Sequence, residues 1–278
     1  MKKNWTFTRI REFLRLNPKI TIGLFLTSFF AIMAIIGQFW TPYIVTRMDA
    51  SSVSQAPSLL HWMGTDNFGR DVLSRVMNGS GITILVALIT VLIGGIIGTM
   101  IGALTGYFGG IVDEIIMRLN DILLSFPSVL LALLLISFLG PGTINVVLAL
   151  GILFIPSFAR MVRSEVIRYR DRDFVRNARL QGIKPLRIIL IHILPNARIS
   201  ILTAAAIGFN NAVLAEASMS YLGLGVQPPT PSLGRMLFEA QSFLLNCPWY
   251  AIFPGITIIL MILGAALLSE GFKEVSGA

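Results

Sequence analysis

Six separate apolar runs divide the chain, at residues 20–40, 82–105, 122–140, 143–160, 199–222 and 250–270. The hydrocarbon core of a bilayer is about 30 Å thick and takes about 20 helical residues to cross. Six such runs predict an all-α integral membrane protein, a bundle of six spans. The composition agrees: 55% of the 278 residues are hydrophobic and only 13% charged, with a mean hydropathy of +0.78, whereas soluble domains carry about 25% charged residues.

Residues 1–80 read as an N-terminal segment with the first span and a polar outer loop, 81–271 as a membrane domain with five helices, and 272–278 as a cytoplasmic tail. The first run is followed by "IGQFWTPY" with no small-residue cleavage site, so it reads as an uncleaved span, not a signal peptide. Ahead of it, Phe7, Ile10, Phe13 and Leu14 share one helical face while Arg9, Arg11 and Arg15 lie off it, the pattern of a short helix on the membrane surface or of a merely basic anchor. In the second span Gly94, Gly95, Gly98 and Gly102 form a small-residue face for close helix packing. The fourth span is short and holds Pro156.

The net charge of +8 raises the question of nucleic acid, and its placement answers it. Basic residues cluster at 1–19 and 160–198, flanking apolar runs, with no aromatic-interleaved groove. With the N-terminus inside, all but four of the 22 Lys and Arg (Arg47, Arg70, Arg75 and Arg235) fall on the cytoplasmic side, as the positive-inside rule requires. Both termini are therefore predicted to be cytoplasmic, in a multi-pass protein of a prokaryotic inner or plasma membrane. The chain holds one cysteine, Cys247, and two histidines, His61 and His192, so no internal disulfide forms and no Cys/His metal site is predicted.

The basic segment "FVRNARLQGIKPLRIILIHILPN" (174–196) predicts a cytoplasmic elbow. Residues 173–181 suit a short helix with Phe174, Ala178 and Gln181 near one face. Gly182 supplies the left-handed residue that closes a helix, and Pro185 opens a second one, since a missing N–H costs nothing in a first turn. Pro195 then stops or kinks that helix. Two helical limbs joined by a tight turn can transmit force from a soluble partner.

This segment resembles the cytoplasmic "EAA" loop of binding-protein-dependent ABC importer permeases, E-A-A-x3-G-x9-I-x-L-P, with Arg176, Asn177, Ala178, Gly182, His192, Leu194 and Pro195 at the patterned positions. Arg176 stands where the family has an acid, Asn177 where it has alanine and His192 where it has isoleucine, so no ion pair of the family glutamate carries over. "MGTDNFGRDVLSR" (63–75), "GYFGGIVDEIIMRLNDILLSFPS" (106–128), "GPGTINVVLAL" (140–150), "AEASMSYLGLGVQPPTPSLGRML" (215–237) and "PWYAIFPG" (248–255) are similar, in order, to stretches of the dipeptide, oligopeptide and nickel permease family of the second-permease type. The resemblance implies the type I ABC importer fold, with the elbow as a coupling helix docked on an ATPase. No G-x-x-x-x-G-K-[ST] loop occurs, so no cofactor is expected on this chain. ATP and Mg would be bound by two separate ABC ATPase subunits. A second homologous permease subunit, an extracytoplasmic solute-binding protein and membrane lipid complete the implied partners.

Other polar residues carry two readings each. Glu216, with Asn210 and Asn211 two turns away, is the carboxylate deepest in a predicted span, which makes it an element of a translocation path or a carboxylate bonded to a neighbouring helix. Asp66, Arg70 and Asp71 either cap a short helix or meet the binding protein, and Pro228, Pro229 and Pro231 stiffen an outer loop or form a docking surface. Asp113, Glu114, Arg118 and Asp121 form a solvated face or an ATPase contact. The function so implied is ATP-driven import of short peptides, with nickel or a metal chelate as the alternative cargo. A secondary transporter or channel would need coupling-ion ligands or a repeated half, and a membrane enzyme a catalytic cluster; neither is found in the sequence.

Overall fold

The computed structural model describes residues 17–276, which fold into helices with one isolated antiparallel bridge between Thr65 and Asp71. The predicted surface helix around Phe7–Leu14 lies outside the described residues. In chain order the helices are α1 (Pro18–Phe39), α2 (Val72–Phe108), α3 (Gly110–Ser125), α4 (Ser128–Leu139), α5 (Thr143–Arg170), α6 (Asp173–Leu180), α7 (Pro185–Arg187) leading into a π-helical stretch Ile188–Ile193, α8 (Arg198–Tyr221), α9 (Leu233–Ala240) and α10 (Trp249–Ser276). Five of them (α1, α2, α5, α8 and α10) are long and apolar enough to cross a membrane.

The third predicted span, 122–140, is not one helix. It is split into α3 and α4, which meet at a bend of 94°. Phe126 is extended (φ −85°, ψ 141°) because the residue before a proline is pushed out of the helical region, and Pro127 has no N–H to continue the α3 ladder. Pro156 behaves oppositely. It lies buried inside an unbroken α5 that runs on to Arg170, a case in which packed neighbours cover the freed backbone. The second span is also longer than predicted, since α2 begins at Val72, ten residues before the apolar run.

Contacts divide the chain into two compact units, one formed by residues up to Leu85 together with those from Ser220 onward, the other by Val86–Met219. In the first, α1 and α10 pack through glycines: a Cβ on Gly23 would lie 2.5 Å from the Leu268 amide nitrogen, and one on Gly264 would lie 2.8 Å from Leu26 Cβ. Large side chains point the other way, with Phe25, Phe29, Ile32 and Ile35 of α1 exposed. Without a hydrophobic drive between helices in lipid, close backbone approach of small residues supplies the attraction.

The second unit repeats the device between α2 and α5. A Cβ on Gly94 would lie 2.5 Å from Phe154 Cβ and one on Gly98 2.6 Å from Phe158 Cβ, while Gly102 abuts the Ala159 carbonyl. The glycine face is a packing face, as its spacing predicts, but Gly95 sits off it, where a Cβ would lie 3.6 Å from the Phe158 ring, an ordinary contact. The predicted solvated face on 113–121 holds only in part. Glu114 pairs with Arg118 one turn on, at 2.5 Å and exposed. Asp113 is instead buried and takes a two-pronged bond from Arg163 of α5, at 2.5 and 2.7 Å, and Asp121 pairs with Arg160.

Candidate functional site

The elbow begins where α5 ends at Asp171 and Arg172 turns extended, at φ −73° and ψ 150°. Eight residues of α6 follow. Gly182, at φ +74°, closes the helix with two bonds of a Schellman cap: its N–H donates to the Arg179 carbonyl at 2.9 Å and that of Ile183 to the Ala178 carbonyl at 3.1 Å. Lys184 is extended and Pro185 takes the first position of α7. Pro195 has no N–H for the Ile191 carbonyl and its ring crowds that oxygen. The helix widens ahead of it, with the Leu194 N–H donating five residues back to Ile189 at 2.9 Å, and Leu194 to Asn196 form a turn before α8. The glycine turn and the two proline positions thus stand as the sequence predicts.

Of the three residues read as sharing a face, only Ala178 is buried. Val175 and Ala178 are the buried residues of α6, while Phe174 and Gln181 are exposed. Together with Ile188, Ile189 and Ile193 they form one apolar cluster with Ala103 of α2 and with Val162 and Val166 of α5; Ile183 and Leu194 pack against it. Sequence reasoning named none of these isoleucines, although their spacing carried the signal. Three polar contacts secure the elbow and its approach. Arg179 donates to the Tyr107 hydroxyl at 3.2 Å and lies 4.9 Å above the ring centre, Arg170 donates to the Gly106 carbonyl at 3.0 Å, and the Tyr169 hydroxyl donates to the Asn196 carbonyl at 3.3 Å. Arg176, Asn177, Gly182 and Pro195 are exposed, and a Cβ on Gly182 would meet nothing within 4 Å.

Of the three residues read as a translocation path, one reaches a cavity. A cavity of about 570 Å³ lies in the second unit between α4, α5 and α8, and Asn211 lines it with Ser128, Ser157 and Ser218 among apolar neighbours. Every residue of its lining is uncharged. Asn210 and Glu216 are not part of that lining. At 100° per residue Glu216 stands about 140° round α8 from Asn211, and it is fully buried.

In the first unit, the segment before α2, the start of α2 and α9 share an ionic network. Asp71 caps α2 by accepting from the Ser74 amide and hydroxyl at 2.8 and 2.7 Å. Asp66 accepts from Arg70 Nε at 2.6 Å and Arg75 Nη1 at 2.5 Å. The same two guanidiniums each donate to Glu239 Oε2 at 2.9 Å, which also accepts the Tyr250 hydroxyl at 2.6 Å, while Arg235 donates to its other oxygen at 3.2 Å. Burial pushes the Glu239 carboxyl up, but Arg75, the Tyr250 hydroxyl, Arg70 and Arg235 outweigh it and hold the group at about 2. Capping is therefore what Asp71 does, and Asp66 holds the two guanidiniums, Arg70 and Arg75, that reach Glu239 on α9. The peptide bond between Pro228 and Pro229 is cis.

Long apolar helices packed through glycine, with a capped basic elbow between two of them, define a multi-pass helical membrane protein. A family model described as "Binding-protein-dependent transport system inner membrane component" matches residues 98–275. The chain is 38% identical over 261 residues to the dipeptide transport system permease protein DppC of Alkalihalophilus pseudofirmus, covering 94% of this chain and 86% of that one. It is also 38% identical to the glutathione transport system permease protein GsiD of Pectobacterium atrosepticum, over 269 residues (95% and 88%), and to GsiD of Escherichia coli O157:H7, over 265 residues (95% and 87%). The chain belongs to the family of binding-protein-dependent transport system inner membrane components.

Proposed function

We propose that this chain is a permease subunit of an ATP-binding-cassette importer that moves short peptides across the cell membrane. Likeness along almost the whole chain to permeases named for dipeptide and glutathione transport carries the reading. The same names favour a peptide over nickel or a metal chelate. The subunit is non-catalytic, and two ATPase subunits bind ATP and Mg and supply the energy. A second homologous permease completes the passage and an extracytoplasmic binding protein delivers the solute.

The elbow is the coupling site: Arg176, Asn177, Ala178, Gly182, Leu194 and Pro195 form or shape a cytoplasmic surface that receives the ATPase. The bias of Lys and Arg supports that orientation, with both termini inside. Its apolar root on α2 and α5 gives a push on the elbow a rigid path into the second unit. The cavity at Asn211 is part of the route. Its uncharged walls solvate a peptide without holding it, as conduction demands of an intermediate site, while Asn210 and Glu216 support the wall from the other sides of α8.

Reconstitution of the four subunit types in liposomes tests the reading. ATP-dependent accumulation of a labelled dipeptide delivered by the binding protein is the expected result. Uptake of a nickel chelate with no peptide uptake would overturn the cargo assignment.

A further inference from the structure

The elbow presents a surface whose chemistry specifies its partner. With Val175 and Ala178 turned inward, a rotation of 100° per residue sets Asp173, Arg176, Asn177 and Leu180 on the outward side of α6. Leu180 is 86% exposed. It stands on the last turn, just before the reversal at Gly182, and so forms the tip of the elbow, an apolar knob that shares the outward side of α6 with Asp173, Arg176 and Asn177.

The charge around this knob is unspent. Arg172, Arg176, Lys184 and Arg187 are exposed, and among the described residues none of the four has a carboxylate within ion-pair distance. Arg179 differs, being engaged by Tyr107. Of the nearby acids, Asp171 faces Arg170 at 3.4 Å and Asp173 lies in the first turn of α6, where a negative charge favours the helix N-terminus. Both positions at which the elbow departs from its Glu-Ala pattern, Arg176 and Asn177, are on this outward side. The sign of the surface is reversed while the buried side, with Ala178, keeps its residue.

We propose that the outward side of the elbow fits an apolar hole bordered by carboxylates on the ATP-hydrolysing subunit, with Leu180 as the knob and Arg176 as the principal cation, supported by Lys184 and Arg187. The proposal rests on the coupling reading above and adds the chemistry of the partner's surface. A buried apolar centre with a charged rim is the usual anatomy of a specific interface, and a guanidinium matches a carboxylate through two parallel bonds. An anionic lipid sheet fits less well. Asp171 and Asp173 interrupt the cations, and the two exposed apolar residues of α6, Phe174 and Leu180, stand about 120° apart in place of the single apolar stripe that a surface-bound helix buries.

The test uses the complete complex, with the cognate ATPase subunits binding to the permease pair in detergent. Wild-type affinity is expected to fall by about tenfold or more between roughly 0.05 and 0.5 M NaCl, as the Debye length shortens. Arg176→Glu is expected to lose about tenfold at the lower salt and most of the salt dependence, and a Lys in place of one groove carboxylate of the ATPase is expected to restore it. Leu180→Asp is expected to abolish binding at both salts. If Leu180→Asp disrupts binding while Arg176→Glu binds like wild type at both salts, the carboxylate border is overturned and the coupling reading stands. If both variants bind and couple hydrolysis to uptake normally, the coupling reading falls. If Arg176→Glu weakens adsorption to phosphatidylserine vesicles and leaves ATPase binding unchanged, the surface is a lipid contact and the proposal is overturned. Both side chains are exposed, so thermal unfolding of the variants should match wild type and separate binding from folding.

Discussion

Arginines serve opposite ends in two regions of this molecule. In the first unit Arg70, Arg75 of α2 and Arg235 of α9 converge on Glu239, the first two also on Asp66, and Arg75 is almost wholly buried. On the elbow Arg172, Arg176 and Arg187 stand exposed without carboxylates among the described residues. Burying a charge is costly unless it is paired and hydrogen-bonded, so the first set is bound up with the fold of its unit. An exposed cation contributes little to stability, and the second set is free to serve recognition.

The sharpest way to break this contrast is to remove the hub of the buried set. Glu239→Ala leaves Arg70 and Arg75 each short of a partner and is expected to cost about 3–5 kcal/mol, the usual penalty for breaking a buried pair, read as a lower thermal unfolding midpoint in detergent. Unchanged stability would mean that the network is dispensable. Acid gives a second reading of the same hub. Because the folded protein holds Glu239 at about 2 against an ordinary value of 4.5, its contribution is fully present above pH 4.5 and is lost as the pH falls towards 2. Glu239→Gln should flatten that part of the stability profile, whereas Arg176→Ala should leave it unaltered.

On the elbow the effects move from stability to function. Gly182→Asp places a side chain in a left-handed conformation, at a cost of about 1–2 kcal/mol, but with open space around the new Cβ. The variant should insert and fold, yet lose most ATP-driven uptake in proteoliposomes; normal uptake would count against the coupling reading. The smallest structural effect is expected from Arg176→Ala, within about 0.5 kcal/mol of wild type. A large loss of stability there would show that this cation is part of the fold after all.

What could be read from the sequence follows the range of the forces involved. The apolar runs gave five continuous spans directly, because crossing a bilayer is a property of each segment by itself. The elbow was legible for the same reason, since Gly182, Pro185 and Pro195 act on their own backbone. Pro127 and Pro156 show the limit: one breaks its helix and the other does not, and the difference lies in α2, whose glycines approach α5 around Pro156. The Glu239 network was hidden because its partners are 164 and 169 residues apart, and nothing local to Glu239 announces two distant guanidiniums. Likewise Val175, not Phe174, faces inward because the groove between α2 and α5 sets the rotation of α6.

The division of the elbow into an inner and an outer side has an evolutionary consequence. Residues that hold its shape, Val175, Ala178 and the three isoleucines, are separate from those that meet the outside, Asp173, Arg176, Asn177 and Leu180. Substitutions on the outer side can therefore accumulate in step with changes in another gene without passing through an unfolded intermediate. A lineage can rewrite what this surface recognises, one exposed residue at a time, on an inherited frame.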